Sequence, residues 1–285
     1  MGMGAAMNAA ELLRSGDVDA ALKRLTEQIR ADPSNAKLRV FLFQLLCVNG
    51  AWARAKTQLD VALGMDKDTM LMSRVYSEAM QCEEERRRAF AGEAAPTIFG
   101  APQPWMAELF EAIRLDRRGE HQAAGALRER AFAAAPATSG KIDGREFAWI
   151  ADADGRLGPL VEAIINGRYF WVPFLRLARI AVEAPSDLRD QVWMPAQVTF
   201  ANGGETVALI PTRYFGSESS PDPLIRLARK SEWAEVAPGT FEGRGQRLFA
   251  TDEGEFPLMD IRLVEFDQPE AASDDGATDK SAADG

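Results

Sequence analysis

The first half of the chain carries apolar residues at the spacing of amphipathic helices. This spacing, which places them on one helix face, holds through residues 9–13, 18–29, 38–48, 52–63, 69–81, 83–90, 105–117 and 121–134. Turn and capping residues interrupt it at Gly16, Asp32-Pro33 and Asn49-Gly50, where helices are expected to end. Residues 9–136 are therefore predicted to be helical, apart from the proline-rich segment 96–104.

Two of these breaks lie one tetratricopeptide period apart. Gly16 and Gly50 are separated by 34 residues, the length of a tetratricopeptide helical hairpin, and Ala21 and Ala55 follow them at equal distance. Glycine suits the tight turn between two helices, and alanine suits their close crossing. A third copy begins at Gly119, so one degenerate unit is expected across residues 70–91. The pattern predicts an N-terminal tetratricopeptide-like α-solenoid, with unrelated helices of an alanine-rich chain as the alternative.

Beyond residue 140, short runs of β-branched and aromatic residues replace the helical spacing. Strands are predicted at residues 147–151, 169–173, 179–183, 191–200, 206–211, 247–250 and 260–266. Residues 202–204 have the composition of a hairpin turn, and short helices are expected at 158–166 and 222–230. The aromatic residues expected in the core are Trp149, Trp171, Phe174, Trp193 and Phe200.

These patterns predict an α+β protein of two domains. Residues 9–136 form the helical domain, and residues 137–267 form a mostly antiparallel β domain with one or two short helices. Residues 1–8 and the acidic tail 268–285, which is rich in Asp, Ala, Ser and Gly, are expected to be disordered.

Charge and composition limit the classes of partner that the chain is expected to bind. The chain has a net charge of −10, and residues 1–137 hold 18 basic and 18 acidic side chains, so no basic excess favours nucleic acid. No run approaches the ~20 apolar residues of a membrane span, and the N-terminus lacks the pattern of a signal peptide. We therefore expect a cytoplasmic protein without membrane or nucleic-acid partners. Cys47 and Cys82 are expected to be reduced and buried.

The residues that could support catalysis or metal binding have structural explanations. His121 is the only histidine and is expected to pack in the third hairpin. Residues 152–155 (Asp-Ala-Asp-Gly) begin like a calcium loop, but the twelfth position is Ala163 instead of glutamate, so a turn is expected. Asp187 and Asp190 flank an arginine and are expected to form caps or ion pairs. The chain is predicted to be non-enzymatic, with no cofactor and no metal.

Several short segments of the second half follow one another in a family-specific order. They are WIADADGRLGP at 149–159, GRYFWVPF at 167–174, DLRDQVWMPA at 187–196, and GQRL at 245–248 followed by IRL at 261–263. This order resembles the ImpE family, also called TagJ, of type VI secretion accessory proteins, over about residues 10–267. The resemblance implies a cytoplasmic adaptor of the contractile secretion machine. Such an adaptor binds the N-terminal helix of the small sheath subunit and influences sheath handling by the disassembly ATPase, an indirect partner.

Helical repeats of this type bind a partner segment in the groove formed by the first helices of successive units. The repeat register predicts the groove residues Lys37, Val40, Gln44 and Cys47 in the second unit, Leu71, Arg74, Glu78 and Gln81 in the third, and Met106, Leu109, Ile113 and Asp116 in the last. Packing between helices is the alternative role of each, and it is the role expected for Phe41, Leu42, Leu45 and Leu46. The alternative function is an enzyme or small-ligand module in the C-terminal domain.

Overall fold

The N-terminal part consists of helical hairpins. The computed structural model describes residues 7–237 and 240–268, and its helices there are α1 Ala9–Arg14, α2 Val18–Ala31, α3 Ala36–Val48, α4 Trp52–Met65, α5 Met70–Phe90, α6 Pro104–Arg117, α7 His121–Ala134 and α8 Pro223–Arg226. The pairs α1–α2, α3–α4 and α6–α7 are the three hairpins expected from the repeat. Residues 1–6 and 269–285, which hold most of the predicted disordered ends, lie outside the described residues.

Polar caps and glycine turns set the helix ends where the sequence predicted them. Asn8 and Glu11 form a capping box at the start of α1, and the Asp17 side chain caps α2. Gly16 and Gly50 adopt φ angles of +89° and +63°, which cost glycine little and other residues more. The glycine spacing therefore marks the turns between paired helices.

The third repeat unit differs from the prediction. One helix, α5, runs for 21 residues through Cys82, where a break between 69–81 and 83–90 was predicted. That break was wrong because no glycine or proline interrupts the segment, and ion pairs such as Glu84 with Arg87, at 2.9 Å, support the helix. Residues 91–103 follow without a helix and include most of the predicted non-helical segment 96–104, so α5 has no second helix of its own and packs on the sheet.

The described residues of the C-terminal part form three sheets. Its strands, together with β1 from the proline-rich segment, are β1 Thr97–Ile98, β2 Gly140–Ile142, β3 Arg145–Phe147, β4 Ile150–Asp152, β5 Leu160–Ile165, β6 Arg168–Pro173, β7 Leu177–Val182, β8 Trp193–Phe200, β9 Glu205–Pro211, β10 Ser231–Ala237, β11 Thr240–Gly245, β12 Leu248–Thr251, β13 Gly254–Pro257 and β14 Leu263–Phe266. The large sheet has the order β1-β6-β5-β9-β8-β7-β14-β2-β3. Its neighbours are antiparallel except β1 and β6. The small sheets are β10-β11 and β13-β12-β4.

The predicted α+β class with a mostly antiparallel sheet is confirmed, with local corrections. Residues 158–166 contain strand β5 instead of a helix, and this strand is buried along its whole length. A strand covered on both faces loses the alternation that marks strands in a sequence. Strands β1, β2, β10, β11 and β13 were not predicted either, and the prediction met β3 only at Phe147. The hairpin turn at 202–204 is confirmed by the bond from the Phe200 N–H to the Gly204 carbonyl, at 2.8 Å.

A continuous core joins the helices to the sheet. One hydrophobic cluster combines Leu45 of α3 and Leu109 of α6 with Trp171 and Trp193 of the sheet. A second cluster lies within the C-terminal part and includes Phe174, Phe200 and Phe249. Of the aromatic residues expected in the core, only Trp149 was wrong, because it is 41% exposed in the segment between β3 and β4.

None of the described helices combines the length and the apolar composition that crossing a membrane requires.

Candidate partner-binding trough

Helices α1, α3 and α5 are the first helices of successive repeats and together form one face of the helical part. The sheet covers part of that face. Trp193 of β8 lies against Trp52 and Tyr76, with ring centroids 5.6 and 5.9 Å away. Its Nε1 donates to Glu83 Oε1 at 2.8 Å. Cys47, at the C-terminal end of α3, is fully buried here. These contacts close the C-terminal half of α3 and the middle of α5 to any partner.

Arginines of the C-terminal part cap two of these helices. Arg213 donates from Nη1 to the Val48 carbonyl at 2.6 Å, and Arg229 donates from Nη1 to the carbonyls of Leu13 and Arg14, both at 3.0 Å. Guanidinium groups at the C-terminal ends of α3 and α1 satisfy free carbonyls and oppose the negative end of the helix dipole. The two helices are thereby fixed to connecting segments of the C-terminal part.

A buried ion network links α5 to the sheet. Arg86 donates from Nε to Glu162 Oε1 at 2.7 Å, and Arg247 contacts both Glu162 and Asp152. Burial alone would raise the pKa of Glu162, but the guanidinium groups of Arg86 and Arg247 lower it to about 2. Burial raises the pKa of Asp152, which faces one guanidinium instead of two, to about 7. The carboxylates are at most 1% exposed, so the network has no room for a substrate and is structural.

The N-terminal half of α3 stays open and forms the floor of a trough. Two adjoining cavities of about 400 and 430 Å³ share Phe41 and Gln44. One lies between α3 and the start of α5, and the other lies between α3, α1 and the segment 185–191 of the C-terminal part. We call the two cavities together the trough; its main lining residues are Leu13, Arg14, Lys37, Val40, Phe41, Gln44, Asp66, Asp68, Met72, Asp187, Leu188, Gln191 and Arg229.

A third recess of about 520 Å³ lies on the other side of the segment 185–191, against Tyr76 and β8. This is where the alternative hypothesis would place a small ligand. Two of its three carboxylates are already bound, however, because Asp190 accepts hydrogen bonds from the backbone N–H groups of Ser186 and Asp187, both at 2.8 Å, and Asp187 pairs with Arg189 at 2.8 Å. The third, Glu183, is exposed. The predicted capping and ion-pair roles of Asp187 and Asp190 are confirmed.

The structure brings three of the four groove residues predicted on α3 together in the trough. Lys37, Val40 and Gln44 line it, whereas Cys47 is buried beneath the sheet. The prediction for Cys47 is therefore corrected, because this chain's own Trp193 and Arg213 occupy that end of the groove. Phe41, which was expected to pack between helices, does pack against the hydrophobic core, and its remaining surface lines both cavities.

The residues predicted on α5 lie on a different face of the helix from the one that meets the cavities. Met72 and Tyr76 face the trough and the adjoining recess. Leu71, Arg74, Glu78 and Gln81 were predicted instead, and none of them lines either cavity. Leu71 is 75% exposed beside the trough, and Arg74 pairs with Glu78 on the surface at 3.3 Å. A 3₁₀ turn at Lys67–Thr69 precedes α5, so no glycine turn fixed the register here.

The residues predicted on α6 lie outside the trough. Met106, Leu109 and Ile113 are buried in the core shared with the sheet, and they are corrected from groove to packing residues. Asp116 contacts Arg128, and one of its oxygens lies 3.0 Å from Nδ1 of His121. His121 is partly exposed at the start of α7 and meets α6 within the third hairpin, where it was expected to pack.

The calcium-like segment 152–155 forms the predicted turn. Asp152 binds Arg247, and Asp154 binds Arg156 at 2.5 Å through Nη2. Both carboxylates thus have arginine partners within the core. Across residues 7–237 and 240–268, no cluster of potential ligands suits a metal ion.

Known proteins show the same combination of helical repeats and sheet. A family model described as tetratricopeptide repeat matches residues 12–75, and one described as ImpE protein matches residues 144–265. A relative from Pseudomonas aeruginosa (strain PAO1), described as type VI secretion system accessory component TagJ, is 53% identical over 266 residues, or 93% of each chain. The chain belongs to the ImpE/TagJ family. This confirms the resemblance inferred from the short segments of the second half of the sequence.

A solved structure supports the fold of this ImpE/TagJ member. Protein VPA1032 from Vibrio parahaemolyticus superposes with a TM-score of 0.83 over 92% of this chain and 98% of that chain, at 22% identity. That likeness concerns the fold alone. The two family-model matches meet in the trough, because the end of α1 and all of α3 lie in the tetratricopeptide match and the segment 185–191 lies in the ImpE match.

The ImpE-like segments hold the two parts together. Asp152, Trp193 and Arg247 come from three of those segments, and all three are buried at or near the junction between the helices and the sheet. Sequence reasoning placed no function on Arg86, Glu162 or Arg247. The available signal was a lone charge within an apolar run, as in Leu-Val-Glu-Ala-Ile-Ile at 160–165, which indicates a buried ion pair.

Proposed function

We propose that this protein is a non-enzymatic adaptor of type VI secretion that holds the N-terminal helix of the small sheath subunit in the trough. The proposal places the protein in the cytoplasm, where the sheath forms, and makes the sheath-disassembly ATPase an indirect partner. The relative's description as a type VI accessory component supports the assignment to type VI secretion, and the trough supports the proposed mode of binding.

The observation that carries the proposal is the open apolar floor of the trough. Val40, Phe41 and Met72 supply apolar surface between charged rims, which suits one face of an amphipathic helix. Their neighbours are held in place by the packed sheet, so the receptor is formed before the partner arrives. The partner must order its own helix, at a cost of about 2–5 kcal/mol, and we expect affinity in the micromolar range.

Fluorescence polarisation with a labelled peptide of the sheath subunit's first helix tests the proposal. Val40→Glu places a charge on the apolar floor, and we expect it to weaken binding at least tenfold, or about 1.4 kcal/mol. Val236→Glu is the matched control, since Val236 is 41% exposed on β10, outside the trough. Absence of binding to the unaltered protein, or equal effects of the two substitutions, would refute the proposal.

A further inference from the structure

The two ends of the trough carry opposite charge. At the α5 end, Asp66 and Asp68 face a single lysine, Lys37. At the α1 end, Arg14 and Arg229 face one carboxylate, Asp187, which already pairs with Arg189. One end is therefore acidic on balance and the other is basic.

The middle of the trough is mostly apolar, apart from Gln44, and receives side chains from both halves of the protein. Phe41 lies on its floor, Val40 and Met72 continue it towards the acidic end, and Leu13 and Leu188 continue it towards the basic end. From α1 through α3 to α5 there are two helix spacings of about 10 Å. At 1.5 Å per residue, a helix of about 14 residues spans this distance.

We propose that the trough accepts its helix in one direction, with the N-terminus of the helix at Asp66 and Asp68 and the C-terminus at Arg14 and Arg229. This inference rests on the proposed function, because it concerns the same trough. The partner has a basic first turn, an apolar stripe and an acidic last turn. Its helix dipole adds to the preference, since the positive end meets the two aspartates and the negative end meets the two arginines.

Photo-crosslinking with a designed probe tests the direction. The probe is a stapled helical peptide with lysines in its first turn, leucines along one face, glutamates in its last turn and a benzophenone at its N-terminus. We expect the crosslinks, mapped by mass spectrometry, to fall near Asp66 and Met72 about tenfold more often than near α1, since each exposed charge pair contributes about 0.2–1 kcal/mol. The preference should fall at 1 M salt, where charges are screened within about 3 Å.

A charge-reversed variant provides the decisive comparison. In Arg14→Glu/Asp68→Lys the same probe is expected to reverse and to crosslink mainly to α1. The control variant Arg88→Glu/Glu253→Lys makes the same changes of charge at exposed positions outside the trough, and Arg88, like Arg14, lies in the last turn of its helix. It should leave the pattern unchanged. Circular dichroism of both variants checks that the fold is intact.

The outcomes separate this inference from the proposed function. Crosslinks at both ends equally, no reversal in the charge-reversed variant, or no binding of the probe would each overturn the directional inference. The sheath-subunit peptide is measured in parallel. If that peptide binds and depends on Val40 while the probe shows no direction, the proposed function stands without the inference. If the probe binds directionally and the sheath peptide does not bind, the inference stands and the proposed partner is wrong.

Discussion

Replacing Arg86 by methionine tests the ion network that fastens α5 to the sheet. The guanidinium donates to both Glu162 oxygens, at 2.7 and 3.0 Å, and to the Arg213 carbonyl at 2.7 Å, and it lies 3.4 Å from Glu83. Methionine fills much of the same space but supplies none of these bonds. The buried carboxylates of Glu162 and Glu83 would then lose part of the positive charge that balances them. Breaking such a buried ion pair costs about 3–5 kcal/mol.

This cost is large enough to measure in thermal and urea unfolding. Each kcal/mol lowers the melting temperature by about 2–4 °C in a domain of this size class, so we expect a decrease of about 6–20 °C. Trp171 and Trp193 report on the junction by fluorescence because both are fully buried there. Arg88→Met is the matched control, an exposed position on the same helix, and should change stability by about 0.5 kcal/mol or less. Equal stability of the two variants would refute the structural role of the network.

Three further predictions follow from buried or strained positions. In urea unfolding, the stability difference between the unaltered protein and Glu162→Gln should be largest above pH 5 and should shrink towards pH 2. The pKa of Glu162 is lower in the folded than in the unfolded protein, so its ionised form stabilises the fold above the unfolded-state pKa and this gain is lost as the pH falls. A difference that stays constant with pH would contradict this. Gly245→Ala should destabilise far more than Gly119→Ala in thermal unfolding. Both have positive φ, but a Cβ at Gly245 would lie 1.8 Å from the backbone oxygen of residue 230, whereas Gly119 has nothing within 4 Å; similar losses would show that the clash relaxes. Cys47 and Cys82 should resist iodoacetamide until the protein unfolds, because burial raises the pKa of both thiols, that of Cys82 to about 12; rapid labelling of native protein would be the contrary result.

The parts of the fold that local patterns determine could be predicted from the sequence. Gly16 and Gly50 fixed the hairpin turns because few residues other than glycine adopt their backbone angles readily. Strand β5 could not be recognised because burial on both faces removes the alternation. The false break at Cys82 arose from expecting a regular repeat where α5 packs on a sheet instead of on a second helix.

The candidate site was predictable only where the repeat register was firm. Lys37, Val40 and Gln44 follow directly after the well-defined first hairpin, and they line the trough. The burial of Cys47 depends on Trp193, which lies far away along the chain. No periodic pattern encodes such a long-range contact. The sequence therefore predicted an open groove along the whole solenoid, whereas in the structure half of that groove is closed.

The arginine caps on α1 and α3 have a mechanical consequence. They tie α1, at one rim, and α3, at the floor, to the C-terminal part of the protein, so this end of the trough cannot widen without breaking these hydrogen bonds. A bound segment would therefore leave by peeling from one end, turn after turn, under a pull along its axis. The receptor would keep its shape through each cycle and be ready at once for another copy.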